Sequence, residues 1–121
     1  MNADSLLSHL AKWSDDVNSL EKQALDQLHG QNNEAAYRDL MRQRTELLRS
    51  LPGRAASLPA GPRADAAFPK VLEVLEGFAQ GASNALRINS VFYMSALLYP
   101  DEHKPGEPNN LERLILNLSG R

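Results

Sequence analysis

The 121-residue chain contains no cysteine, which excludes disulfides, thiolate nucleophiles and every cysteine-based zinc site. Redox chemistry therefore does not fix its compartment. Aromatic residues are scarce at 6% of the chain, which points to a core of packed aliphatic side chains. No apolar run approaches the ~20 residues that span a bilayer, so no membrane helix is expected. Met1–Ser5 has no basic n-region, and the apolar residues that follow are spaced helically where a secretory leader has a solid block. A cytoplasmic location is the expectation, and the Asn117-Leu118-Ser119 sequon reads as a chance match. Neither charge sign dominates: a net charge of −2 supplies no bulk attraction for nucleic acid or an anionic membrane.

Chemical signatures are missing as well. There is no phosphate-cradling glycine loop and no Gly-x-Ser-x-Gly elbow. His9, His29 and His103 are scattered, without partners at the three- or four-residue spacing of a helical metal site. No catalytic residue, metal or cofactor is expected. The charged loop Asp101-Glu102-His103-Lys104 reads as a solvated surface turn bounded by prolines.

What the chain does have is helical periodicity. From residue 3 to 29, Leu6, Leu10, Trp13, Val17, Leu20, Ala24 and Leu28 form one apolar stripe. Gly30 and the Asn32-Asn33 pair then offer a stop and a new start. A second helix over 33–51 places Tyr37, Leu40, Met41, Leu47, Leu48 and Leu51 on one face with Arg44 among them, and Pro52-Gly53 is expected to end it. Residues 52–63, rich in proline and glycine, read as an irregular connector. From 66 to 99, Phe68, Val71, Leu75, Phe78, Ala82, Ala85, Asn89, Phe92, Ala96 and Tyr99 recur at alternating spacings of three and four, which predicts one long helix stopped by Pro100. At ~1.5 Å per residue the stretch from Phe68 to Tyr99 would be a rod of roughly 48 Å, longer than one small core needs. A short helix over 110–119, with Leu111, Leu114, Ile115 and Leu118 on one face, closes the chain.

These elements predict an all-α fold: a helical bundle of an antiparallel helix hairpin, one long helix and a short C-terminal helix. The length mismatch predicts a homodimer in which the Phe92–Tyr99 end and the C-terminal helix exchange contacts across a twofold axis. Acidic residues concentrate in the first helix and arginines between Arg38 and Arg63, so the two arms of the hairpin are expected to attract one another.

Six residues stand out as candidate contacts for a partner or ligand. Arg44 interrupts an apolar stripe, where a guanidinium either pairs internally or grips a planar oxyanion. Asn84, Arg87 and Asn89 put hydrogen-bonding capacity in the middle of the long helix, and Asn89 at a seam position reads first as a register-setting residue. Tyr93 and Tyr99 add polar tips to an apolar surface. Gly77 and Gly81, four apart, suggest either a close approach by another helix or a tolerated kink.

The reading that follows is a non-enzymatic interaction module: a small adaptor, regulator or chaperone-like protein that offers a helical groove to a partner's amphipathic helix. A small-molecule site between helices is the alternative. Nucleic-acid binding through Arg38–Arg63 ranks third, because no aromatic platform accompanies the arginines.

Overall fold

Ser5 accepts a hydrogen bond at its side chain from the Ser8 amide, 3.1 Å away, and so caps α1, Leu6–Leu25. Leu6, Leu10, Trp13, Val17 and Ala24 are buried along it. The computed structural model describes residues 5–100 and 102–120; the predicted start of the first helix at residue 3 lies outside them, as does Asp101. All regular structure among the described residues is helical, with no strand.

The chain leaves α1 through a wider π-helical turn, Asp26–Gly30, in which the Gln31 amide reaches the Asp26 carbonyl. Asn32 then takes a left-handed conformation, with φ 51°, and the Asn33 side chain caps α2, Glu34–Ala56, by accepting from the Ala36 amide. The helix does not end at Leu51; it runs through Pro52 to Ala56. Leu51, Ala55 and Leu58 keep the helical spacing and are all buried. Proline in a helix interior costs about 3 kcal/mol, and two buried leucines at about 1.5–3 kcal/mol each, with Ala55, offset it. The expected irregular connector is accordingly shorter. It contains a helical turn, α3, Ala60–Arg63, and Pro62 within it is buried.

The predicted long helix is two helices. α4 spans Phe68–Arg87, with Pro69 in its first turn, and α5 spans Val91–Ala96. The break is a Schellman stop. Asn89 adopts φ 53°, its amide bonds to the Leu86 carbonyl, and the Ser90 amide bonds to the Ala85 carbonyl. Ser90 at once caps α5, its hydroxyl accepting from the Tyr93 amide at 3.2 Å. The apolar seam therefore holds from Val71 to Ala85 and fails beyond it: Asn89, Phe92 and Ala96 are exposed, and Met94 is buried in their place. With no continuous rod, the length mismatch that motivated a homodimer disappears.

α6, Asn110–Ser119, opens with a capping box: Asn109 Oδ1 accepts from the Glu112 amide and Glu112 Oε1 accepts from the Asn109 amide, both at 2.8 Å. Asn109 is itself buried. It donates to Asn18 on α1, which in turn donates to Glu112. α2 lies between α1 and α4, α5 packs on α2 and α4, and α6 packs on α1. One apolar cluster joins them, from Leu10 and Val17 through Leu48 and Leu51 to Leu75, Leu98 and Leu114. Among the described residues no arginine of α2 forms an ion pair with an acid of α1; Arg38 pairs with Glu34 and Arg49 with Glu46, within α2 itself.

Candidate functional site

Arg44 is fully buried, carried inward by the apolar face of α2. Its two terminal nitrogens donate to the carbonyls of Met94, at 3.0 Å, and Leu97, at 3.1 Å. These are carbonyls at the C-terminal end of α5, where six residues cannot satisfy their own last turn. The guanidinium also lies 6.0 Å from the centre of the Tyr99 ring. Burial pulls its pKa below the usual value, and the charge of Glu21, with Tyr99 and Tyr37, pushes back. Each terminal nitrogen has a carbonyl acceptor while Nε is buried without one, and these two hydrogen bonds make Arg44 a brace between α2 and the end of α5.

Tyr99 completes this brace. Its half-buried hydroxyl donates to the Glu21 carboxylate, with oxygens at 2.7 and 2.8 Å, linking the segment after α5 to α1. Burial first, and then this hydrogen bond and the charge of Glu21, raise its pKa from 10.0 to about 12. Between Arg44 and Tyr99, Leu98 holds φ 74°, a conformation a leucine rarely adopts, and its carbonyl accepts from the Asn110 amide at 2.9 Å. The brace, the buried Leu98 side chain and this hydrogen bond together hold the turn in place.

Two clefts flank it. The polar one, about 450 Å³, is bordered by Glu21, Tyr99, His103, Glu107, Asn109 and Glu112 among others. Its polar groups are largely spent on one another: Tyr99 on Glu21, Asn109 on Asn18 and Glu112, and Glu107 on the Lys104 amide. Among the described residues no group of three His, Asp or Glu side chains is arranged to hold a metal ion.

The other cleft is an apolar groove of about 470 Å³ between α4 and α5, lined by Gly81, Asn84, Ala85, Ile88, Tyr93, Ala96 and Leu97. Gly81 has a defined reason to be there: a Cβ at this position would stand 3.1 Å from the Leu97 side chain, whereas one at Gly77 would meet nothing within 4 Å. The glycine thus admits the Leu97 side chain, just past α5, not another helix backbone. Two of the lining residues are large apolar side chains that face water, Tyr93 at 56% and Ile88 at 49% exposure, and Phe92 beside Tyr93 is 73% exposed. Phe92 and Tyr93 meet edge to face, with ring centres 5.4 Å apart.

The six candidates therefore divide. Asn84 and Tyr93 come together in the groove, while Arg44 and Tyr99 come together in the brace beneath it. Arg87 is exposed at the end of α4. Asn89 terminates that helix, and its side chain accepts a hydrogen bond from Arg42 of α2. Sequence reasoning missed Ile88 and misplaced Phe92 in the core, because both assignments depend on whether the helix continues past Asn89. The Asn89-Ser90 pair, a left-handed residue type followed by an N-cap type, was the available signal. Compared with known proteins, the chain matches no family model, no curated protein and no solved structure.

Proposed function

We propose that the protein is a non-enzymatic interaction module whose α4–α5 groove receives an apolar segment of a partner protein. The observation that supports this reading most is the exposure of Ile88 and Tyr93 on a concave apolar surface, extended by exposed Phe92, whose ring meets that of Tyr93 edge to face. Scattered exposed apolar residues need no explanation, but a contiguous patch rimmed by polar side chains is a recurrent mark of docking sites. Aromatic residues at the mouth of a groove supply the rigid contact area that concentrates binding energy. The polar side chains that would otherwise suggest chemistry, Arg44 and Tyr99, are engaged in holding α5 and the segment after it against α2 and α1.

A volume of about 470 Å³ is also in the range of small-molecule sites. A small ligand would find polar side chains only at Asn84 and Tyr93, which favours an apolar peptide surface over a specific metabolite. The test is capture from a cell extract with the wild-type chain and with Phe92→Ser/Tyr93→Ser as parallel baits, followed by amide chemical-shift mapping of any partner retained. A partner held by the wild type alone, with shifts centred on residues 81–97, supports the reading. Equal retention by both baits, or a small molecule found in the groove by native mass spectrometry, overturns it.

A further inference from the structure

Resting on the interaction reading, the charges around the groove narrow what can fill it. Between Glu76 and Asp101 the sequence holds one charged residue, Arg87. No carboxylate lines the groove, whereas the polar cleft on the other side of the brace is bordered by several. Arg87 follows Asn84 by three positions on α4, so it is a helical neighbour of the groove's Asn84 edge without lining the groove itself. It is exposed and, among the described residues, enters no hydrogen bond or ion pair. A second exposed cation, Arg42, is held at the same end of α4 by its hydrogen bond to Asn89, with no carboxylate partner. An apolar groove with an uncompensated basic margin favours a segment carrying Asp or Glu beside its apolar face. It opposes one carrying Lys or Arg there.

Size argues for a helix over a second copy of the chain. At roughly 150–250 Å² per aromatic side chain, the exposed parts of Phe92 and Tyr93, with Ile88, offer on the order of 300–400 Å², under half of the ~800 Å² each protein contributes to a standard interface. We propose that the occupant of the α4–α5 groove is an amphipathic helix of a partner protein whose apolar edge is bordered by carboxylates, one of them seated on Arg87.

The test uses two labelled helical peptides with the same leucines at i, i+3, i+4 and i+7, one with Glu and the other with Lys at the flanking positions, titrated against the full chain by fluorescence anisotropy. The Glu peptide should bind about five- to tenfold more tightly, the advantage should shrink between about 50 and 500 mM salt, and Arg87→Glu should invert it. Arg87→Gln should abolish the preference, and Phe92→Ser should weaken both peptides. Circular dichroism of each variant checks that the helices persist. Equal affinities, or a tighter Lys peptide, overturn the charge inference and leave the groove reading standing. Failure of both peptides, or binding indifferent to Phe92→Ser, removes the groove reading with it. Binding to anionic phosphatidylglycerol vesicles, or self-association in sedimentation, that disappears in Phe92→Ser assigns the face to a membrane or a second copy and overturns the proposal.

Discussion

Two residues, Asn89 and Tyr99, carry more of the architecture than their side chains alone suggest. A left-handed backbone costs most residues about 1–2 kcal/mol, but glycine and, to a lesser degree, asparagine adopt it readily. Asn89→Gly should therefore leave the unfolding free energy within roughly 0.5 kcal/mol of wild type, and Asn89→Val should lower it by roughly 1–2 kcal/mol, as read from urea unfolding midpoints. Tyr99 makes a pH prediction. An acid whose pKa rises on folding holds its proton more tightly in the folded state, so its stabilisation is complete below the ordinary value of 10.0 and is lost as pH rises through about 12. Above that range a tyrosinate would face the Glu21 carboxylate. Tyr99→Phe should be less stable than wild type by about 1 kcal/mol near pH 8, and the two unfolding curves should converge between pH 10 and 12.

At the level of elements, the clearest contrast is between α4, which packs its own amphipathic face, and α5, which six residues cannot stabilise alone. α5 depends on the buried Met94 and on the two hydrogen bonds from Arg44. Arg44→Met keeps most of the buried stem but strands the Leu97 carbonyl and leaves that of Met94 only the 3.4 Å bond from the Leu97 amide, and should lower stability by roughly 2–3 kcal/mol. Hydrogen exchange should show residues 91–99 losing protection before α1, α2 and α4. The glycines of α4 divide by their surroundings. Gly77→Ala fills open space in a helix interior and should raise stability by about 1 kcal/mol, while Gly81→Ala must push the Leu97 side chain from 3.1 Å and should gain less or lose. The same element scale shows what the sequence made legible. Where apolar residues recur without interruption, as from Leu6 to Ala24 and from Leu111 to Leu118, their burial could be read directly. It misled where local chemistry and periodicity disagreed. At Pro52 the burial of Leu51, Ala55 and Leu58 outweighed the breaker, and at Asn89 a cap overruled a seam that ran on unbroken in letters.

For the whole molecule, that small break decides which surface is offered to the outside. Had the helix continued, Phe92 would have stayed in register with Val71, Leu75 and Ala82, inside the bundle. Because the chain turns at Asn89, Met94 fills the interior, while Tyr93 is left on the lining of a groove and Phe92 in water beside it. The candidate site was thus only half legible in the sequence: Asn84 and Tyr93 could be singled out by type, but their union with Ile88 and Phe92 depends on a turn that reverses the pattern's meaning. Stability and binding should therefore separate. Phe92→Ser and Tyr93→Ser, replacing mostly exposed side chains, should each change the unfolding free energy by no more than about 0.5 kcal/mol, while each reduces affinity for an apolar helical peptide several-fold. Thermal unfolding and peptide titration on the same samples check this. A variant that lost stability and affinity in proportion would show that these rings hold the bundle together and are not held out for a partner.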